Sequence, residues 1–337
     1  MRLRATIFSL TTVVLGLLTA SCDSAIYDSA GACSVAVKFK YDYNMKFADA
    51  FANEVKSVAV YAFRRNGDFA AMAGESGDQL AKNGYVLTFR DIEPGYYDLV
   101  AWCGTGDEGS LFSLTTPATK DELFCKLQKK TKAISYIDTD PGTLYYGYLD
   151  NVYLDRYTSK SAEVKEFSLV KNTNNIRVLL QSLNQSETLT PEEFDIYITD
   201  NNAVLDWENG LSLPADISYY PWGQKQGSVE YDGGQSLLTA VVAEFTVNRL
   251  FKKTTDKTYL VVEDKNTGDV VLRIPLVDYF LLVKSNYNKQ MTDQEYLDRQ
   301  DDYSITFFLD NNHGWSIASG IYINGWFIVL NQGDLEN

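Results

Sequence analysis

Apolar and polar residues alternate along much of the chain, and this period of two is typical of half-buried β-strands. In Ser34–Tyr41, the first such stretch, valines and aromatic residues fall on one face, and small and basic residues fall on the other. The same alternation, or a dense run of β-branched and aromatic residues, predicts further strands at Val55–Phe63, Tyr85–Ile92, Tyr96–Cys103, Leu144–Leu154, Glu163–Val170, Ile176–Leu183, Phe194–Thr199, Leu237–Val247, Thr258–Glu263, Asp269–Ile274, Tyr303–Leu309 and Gly320–Leu330.

Helical periodicity is rare by comparison. Only Leu276–Tyr287, which follows a proline, and Asp293–Arg299 are predicted to be helices. A parallel α/β fold needs a helix after nearly every strand, whereas turn signals such as Asn66-Gly67 join neighbouring strands directly. The pattern therefore predicts an all-β protein with two antiparallel β-sandwich domains and one or two short helices in the second.

The length of 337 residues is sufficient for two domains of about 150 residues each. The polar, small-residue segment Tyr157–Ala162 is the least disruptive boundary, so we expect an N-terminal sandwich over residues 34–162 and a C-terminal sandwich over residues 163–337. The mostly polar stretch Gly104–Thr143 is too long for a bare loop in a compact domain. We expect this stretch to contain structure of its own.

The N-terminus has the features of an export signal. Two arginines precede an uncharged, apolar core, Ala5–Ala20, which is shorter than the roughly 20 residues of a membrane-spanning helix. The core ends in Leu-Thr-Ala-Ser-Cys, which resembles a bacterial lipobox, although Leu18 lies one position further from Cys22 than is usual. We expect cleavage of residues 1–21, lipid attachment at Cys22 and a flexible tether over residues 22–33. The alternative is an ordinary secretory signal with an unrelated cysteine.

The chain is strongly acidic, with 45 Asp and Glu residues against 30 Lys and Arg residues and a formal net charge of −15. Removal of the signal segment would make the charge two units more negative, because it contains Arg2 and Arg4. Such a chain repels the phosphate backbone, so we expect no nucleic-acid partner. No later stretch has 18 consecutive apolar residues, so the lipid is the only membrane attachment that the sequence predicts.

The cysteines and the single histidine limit the chemistry that can be predicted. Cys103 and Cys125 could form a disulfide, and a reduced, buried set is equally compatible with the sequence. No Cys-x-x-Cys pair or Cys/His cluster suggests zinc, and no acidic cluster matches a calcium-binding loop, so neither a metal nor a cofactor is predicted.

His313 lies in an Asp-Asn-Asn-His-Gly segment that is predicted to be a solvent-exposed turn. Histidine-based catalysis would depend on this residue alone, and we predict that the protein is not an enzyme.

One aromatic cluster falls outside the predicted strands. Tyr219, Tyr220 and Trp222 surround Pro221 in a predicted loop, whereas most other aromatic residues occupy alternate strand positions. Exposed aromatic rings can stack on sugars, so these three residues are candidates for contact with a glycan or a partner subunit. The alternative is a loop that packs onto its own domain.

Several stretches, in this order behind the lipobox, make the chain resemble the fimbrial anchor lipoproteins of Bacteroidetes, the FimB-like family of minor-fimbria anchors and length regulators. They are Cys22-Asp23-Ser24, Cys33, Phe39-Lys40-Tyr41-Asp42-Tyr43-Asn44-Met45, Phe47-Ala48-Asp49-Ala50-Phe51, Val55 to Phe63 before Asn66-Gly67, Ile92-Glu93-Pro94-Gly95-Tyr96-Tyr97, Val100-Ala101-Trp102-Cys103-Gly104, Gln294-Glu295-Tyr296-Leu297-Asp298-Arg299, Tyr303–Leu309 and Ile323-Asn324-Gly325-Trp326.

The resemblance implies two transthyretin-like β-sandwich domains and a location at the base of a fimbrium, on the outer membrane. It also implies a fimbrial stalk subunit as the partner, bound by exchange of a β-strand, and a role in limiting the length of the polymer. A surface glycan-binding lipoprotein is the alternative function.

Overall fold

The computed structural model describes residues 35–330, except residues 91, 156–163, 185, 213–214, 232–235 and 285–287. The all-β class predicted from the alternation is confirmed, because strands form most of the regular structure in this part of the chain. The described residues of the N-terminal part include one short α-helix, α1, at Phe51–Glu54. Its first five strands are β1 (Val35–Lys40), β2 (Ser57–Arg64), β3 (Phe69–Ser76), β4 (Leu87–Phe89) and β5 (Gly95–Cys103).

The long stretch Gly104–Thr143 does contain structure of its own. It forms four short strands, β6 (Phe112–Leu114), β7 (Cys125–Leu127), β8 (Lys130–Thr131) and β9 (Ser135–Ile137), and a turn of 3-10 helix at Lys120–Glu122. We call residues 104–143 the insert. The chain then continues through β10 (Tyr145–Leu154), β11 (Lys165–Ser168) and β12 (Val170–Lys171).

The C-terminal part contains eleven strands and two α-helices within the described residues. The helices are α2 (Leu276–Leu281), which is shorter than predicted, and α3 (Asp293–Arg299), whose predicted bounds are confirmed. The strands are β13 (Thr173–Ser182), β14 (Phe194–Asp200), β15 (Val204–Leu205), β16 (Ile217–Tyr219), β17 (Gly223–Tyr231), β18 (Ser236–Asn248), β19 (Tyr259–Asp264), β20 (Val270–Pro275), β21 (Asp302–Leu309), β22 (Ile321–Ile323) and β23 (Trp326–Ile328).

Two sheets enclose the first hydrophobic core. A three-stranded sheet of order β11-β1-β4 packs over a five-stranded sheet of order β12-β10-β5-β2-β3. The strand β11 lies beyond the predicted boundary at residue 162 but pairs with β1, so this first sandwich includes residues from both predicted segments. The division of the chain into two domains, and their transthyretin-like topology, stay predictions.

The second hydrophobic core extends through both parts of the chain. It lies between two six-stranded sheets, of order β17-β18-β13-β21-β22-β23 and β20-β19-β14-β16-β9-β8, and it continues to the outer face of β5, which carries Val100 and Trp102. The insert makes this continuity possible, because β9 pairs with β16 and β7 pairs with β15. The strand β5 is therefore covered on both faces, which accounts for its uninterrupted apolar run Leu99–Cys103.

The sheets are mixed, although the sequence predicted antiparallel sheets. Among the strands of the described residues, three pairs are parallel: β1 with β11, β13 with β21, and β16 with β9. The partners in these pairs lie far apart in the sequence, so no hairpin signal marks them. Alternation within a strand reports which face is buried, and it contains no information about the direction of the neighbouring strand.

An ion pair fixes the insert against β5 and against the C-terminal part. Lys120 Nζ lies 2.5 Å from Asp98 Oδ2, and the same ammonium group lies 3.9 Å from the centre of the Trp207 ring. The indole N–H of Trp207 donates to Asp121 Oδ1 at 3.1 Å. Burial raises the pKa of the Asp98 carboxyl, but the hydrogen bonds from Lys120 and from the backbone N–H of Asn151 outweigh this effect and lower it.

We expect Asp98→Asn to lower the free energy of unfolding by about 2–3 kcal/mol at neutral pH, because a partly buried ammonium group loses its charged acceptor. A carboxyl whose pKa is lower in the folded state stabilises the protein above its unfolded pKa of about 4, and this contribution is lost as the pH falls through the folded pKa. The difference between the two proteins should therefore shrink below about pH 4. Urea unfolding at pH 7, 5 and 3 measures it.

Asp78→Asn is the matched control, since Asp78 is exposed, and it should change the stability by less than about 0.5 kcal/mol. A difference between the native protein and Asp98→Asn that stayed constant from pH 7 to pH 3 would contradict the role given to this carboxylate.

Candidate functional site

The predicted lipidation site, Cys22, and Cys33 lie outside the described residues. The first described residue is Val35, which opens β1. The strand β1 is therefore the first described element after the predicted lipidation site, and its surroundings form the candidate functional site.

The strand β1 is the central strand of its sheet. On one side it runs parallel to β11, with four residue pairs from Val37 opposite Lys165 to Lys40 opposite Ser168. On the other side it runs antiparallel to β4, with three pairs from Val35 opposite Phe89 to Val37 opposite Leu87. Both edges of the strand are thus hydrogen-bonded, and removal of β1 would leave an open groove between β4 and β11.

The inward face of β1 is part of the first core. Val35, Val37 and Phe39 are buried, and the Phe39 ring stacks on Phe51 and Phe167 with centroid distances of 5.3 and 5.4 Å. The Phe167 ring packs directly against Gly147, where a Cβ atom would lie only 2.9 Å from a Phe167 ring atom and would clash with it. Burial of each large apolar side chain stabilises the fold by about 1.5–3 kcal/mol. Removal of β1 would therefore strongly destabilise the first sandwich.

The loop that follows β1 contacts the C-terminal part through α3. The backbone N–H of Met45 donates to the carbonyl oxygen of Arg299 at 3.1 Å. The Arg299 guanidinium lies 3.8 Å from the centre of the Tyr43 ring and 5.1 Å from that of Phe47. These cation–π contacts join the exit of β1 to the second sandwich.

A buried lysine makes a second connection at the same place. Lys171 Nζ lies 2.6 Å from Asp301 Oδ2 and 3.6 Å from Glu54 Oε2, and the Tyr145 hydroxyl donates to the same Glu54 oxygen at 3.1 Å. Burial lowers the pKa of Lys171, but the attraction of Asp301 and Glu54 outweighs this effect and raises it. The ammonium group therefore stays charged, between carboxylates from α1 and from the segment after α3.

The disulfide that the sequence left open is absent. Cys103 and Cys125 are both buried free thiols, and burial raises the pKa of each. Cys103 belongs to the first core and Cys125 to the second, so the two side chains lie on opposite faces of the five-stranded sheet. The reduced, buried alternative matches the structure.

His313 lies in a turn, as predicted, but it is largely buried and not solvent-exposed. Its backbone φ is +61°, and its Nδ1 atom lies 2.8 Å from Asp264 Oδ2. The ring packs on Phe194 at a centroid distance of 5.1 Å, and its Nε2 atom lies 3.6 Å from Glu187 Oε1. The two carboxylates and the Phe194 ring account for the burial, which the sequence of the turn alone does not reveal.

The three candidate aromatic contact residues have different environments. Tyr219 is buried in β16, and its hydroxyl donates to Asn202 Oδ1 at 2.6 Å, so it is unavailable to a partner. Tyr220 is 38% exposed and packs edge-on against Tyr136 of the insert. Trp222 is 44% exposed, and its indole N–H donates to Thr246 at 3.2 Å. The structure separates the cluster into a core residue and two surface residues.

Within the described residues, no group of three or more His, Cys, Asp or Glu side chains is arranged to hold a metal ion. The same part of the chain contains no helix that is long and apolar enough to span a membrane.

Several solved structures share this fold. A candidate adhesin from Bacteroides thetaiotaomicron is 30% identical, with a TM-score of 0.80 and coverage of 90% of this chain and 100% of that chain. A candidate polysaccharide-binding protein from the same organism is also 30% identical, with a TM-score of 0.73 and coverage of 90% and 99%. The fimbrial anchor protein Mfa2 from Porphyromonas gingivalis is 18% identical, with a TM-score of 0.63 and coverage of 88% and 99%, and it shows the common fold.

A search of curated proteins finds no match. The sequence profile of the fimbrillin-A associated anchor proteins Mfa1 and Mfa2, in contrast, matches residues 29–332, which is most of the chain. The resemblance to fimbrial anchors that the sequence motifs indicated is thereby confirmed. The protein belongs to the Mfa2 family of fimbrillin-A associated anchor proteins.

Proposed function

We propose that this protein is an outer-membrane lipoprotein that anchors a fimbrium to the cell surface and limits its length. The observation that supports this function best is the position of β1. A lipid on Cys22 would be joined, through a short tether, to the central strand of a sheet whose inward side chains are buried. The lipid would thus be tethered to a strand that is part of the first core.

This arrangement suits a protein under tension. A pull along the tether acts on β1, which is paired on both edges, and the loop after β1 is in turn fixed to α3 by the Met45–Arg299 hydrogen bond and the Tyr43 contact. The load would therefore pass from the lipid into both sandwiches without relying on one exposed contact.

The length limit follows from the same strand if stalk subunits join by strand exchange. In that mode a strand from one subunit adds to an open groove of the next and forms main-chain hydrogen bonds with it. Here β1 fills the groove between β4 and β11, and its removal would also remove the anchor. A subunit that keeps β1 can begin or end a polymer, but it cannot extend one in both directions.

Binding of a surface glycan is the second candidate function. Tyr220 packs against Tyr136 at 5.9 Å and against Tyr197 at 5.6 Å, which creates a partly exposed group of three tyrosine rings. Aromatic faces of this kind can stack on sugar rings. The relative from Bacteroides thetaiotaomicron that is described as a candidate polysaccharide-binding protein adds weight to this possibility.

Cys22→Ala in the native host tests the anchor function. We expect long fimbriae to be shed into the medium while cell-bound polymer falls, because the protein would lose its lipid but keep every residue of the fold. Immunoblots of the stalk subunit in cells and medium, with electron microscopy of fimbrial length, measure both effects. Cys33→Ala is the control and should leave cell-bound fimbriae unchanged. If fimbriae are unaltered in the Cys22→Ala strain, the anchor function is refuted and the glycan-binding function is favoured.

The retention of β1 gives a separate prediction. Protein isolated with fimbriae from native cells should contain the peptide that covers Val35–Tyr41, and the mass of its N-terminal fragment should include the lipid at Cys22. Mass spectrometry of the fimbrial fraction measures both, with the stalk subunit from the same sample as the comparison. A mature, fimbria-bound form that started after residue 41 would contradict the retained strand.

A further inference from the structure

The loop between β1 and α1, residues 41–50, presents an exposed phenylalanine in an unfavourable backbone conformation. Phe47 has a φ of +50°, and its side chain is 63% exposed. The other non-glycine residues with positive φ in the described part of the chain are Asn, Asp or His, the types that tolerate this region best. They are Asn151, Asn209, Asp256, His313 and Asn324. Phe47 therefore combines a strained backbone with an apolar ring in water.

The fold of the loop holds Phe47 in this conformation. Asn44 is buried, and its side-chain amide donates to the carbonyl oxygens of Tyr41 and Ala48, both at 2.8 Å. Its Oδ1 atom accepts from the backbone N–H of Lys46 at 3.0 Å, and the N–H of Phe47 donates to the Asn44 carbonyl oxygen at 3.2 Å. A strained residue persists only where the surrounding structure determines its conformation, and such residues cluster at functional sites.

A second set of hydrogen bonds closes the loop at its base. Asp49 Oδ1 accepts from the backbone N–H of Tyr41 at 2.9 Å and from that of Phe51 at 3.0 Å. The N–H of Ala50 donates to the Tyr41 carbonyl oxygen at 3.0 Å. Tyr41 and Phe51 are themselves part of the first core. The loop is thus a rigid extension of the core, and the ring of Phe47 would lose little freedom on binding a partner.

The ring of Phe47 contributes little to the packing of the fold. It belongs to neither hydrophobic core, and its contact with the Arg299 guanidinium, at 5.1 Å, is longer than the 3.8 Å contact that Tyr43 makes with the same group. An asparagine would suit both the positive φ and the exposure to water, so the fold alone does not explain a phenylalanine here. Tyr43, Met45, Phe47 and Arg299 are of the residue types that are enriched at protein–protein interfaces.

The loop lies at the end of β1 opposite to the predicted lipid. The tether joins β1 at Val35 and the loop leaves it after Lys40, which places the two ends about 17 Å apart. The backbone N–H of Met45 also donates to the carbonyl oxygen of Arg299, at the end of α3. A partner bound to the loop would therefore pull on β1 from the far end and share the load with both sandwiches.

We propose that Phe47 is the central contact with the fimbrial stalk, with its ring in an apolar pocket of the first stalk subunit and with Tyr43, Met45 and Arg299 around it. The inference rests on the proposed anchor function and names the surface that this function uses. Burial of the ring removes apolar area from water. Folding has already met the cost of the positive φ, so binding does not meet it again. The contact is additional to any exchanged strand.

Binding of fimbriae to the purified full-length protein on a sensor surface tests the contact directly. The probe is fimbriae from a host strain that lacks this protein, so that their basal ends are free. Phe47→Asn removes the ring and suits the positive φ. We expect it to be no less stable than the native protein in urea, and its affinity for fimbriae to fall at least about tenfold. The control Ile134→Asn removes an apolar side chain of similar exposure, 61%, from the insert and should leave the affinity unchanged.

Three results of this measurement would overturn the proposal: equal affinity of the native protein and Phe47→Asn, an equal loss of affinity with Ile134→Asn, or no binding by the native protein. Phe47→Gly, which also suits the positive φ, replaces Phe47→Asn if that variant does not fold by circular dichroism. Failure of both variants to fold would show that the ring serves the fold and would equally overturn the proposal.

The native host separates this inference from the anchor function. The Phe47→Asn strain should shed fimbriae into the medium while the protein stays in the membrane fraction. In the Cys22→Ala strain, the shed fimbriae should instead contain the protein. If Cys22→Ala releases fimbriae and Phe47→Asn retains them, the anchor function stands and the Phe47 contact is overturned. If Cys22→Ala changes nothing, the anchor function fails, and the binding measurement still decides whether Phe47 contacts the stalk.

Discussion

The pairing of β1 on both edges is the constraint on which the rest of the structure depends. The strand supplies Val35, Val37 and Phe39 to the first core and holds β4 and β11 in one sheet. Without it the three-stranded sheet has no centre, and the five-stranded sheet loses the cover on one face. The described strand nearest to the predicted lipid, β1, is therefore essential to the first sandwich.

The insert gives the second constraint, because it covers the other face of the same five-stranded sheet. Its strand β7 buries Cys125 and Leu127 in the second core, and β9 extends a sheet of the C-terminal part. At the edge of this apolar contact, Lys120 of the insert pairs with Asp98 of β5 and lies over the ring of Trp207 of the C-terminal part. The two sandwiches are thus joined by continuous apolar packing, and a change at the junction should affect both.

The sequence predicts the elements in which local pattern and burial agree, and it fails where partners lie far apart. The bounds of α3 are confirmed because Thr292 caps the helix, and its hydroxyl accepts from the Glu295 N–H at 3.1 Å. The predicted strand Gly320–Leu330 is instead a hairpin, since Asn324-Gly325 has positive φ at both residues and turns the chain. The burial of Tyr219 depends on its neighbours β9 and β14, which no local pattern reveals.

The candidate site required the structure for a different reason. The lipobox and the alternation of Ser34–Tyr41 are visible in the sequence, but the central position of the strand follows only from its pairing with β4 and β11. An edge strand with the same pattern could detach under load while the core stayed intact. A central strand cannot, since its release would expose apolar side chains and break hydrogen bonds on both sides. The connections made by Arg299 and Lys171 then extend this resistance to the second sandwich. An anchor attached through β1 should therefore resist extraction as strongly as its sandwiches resist unfolding.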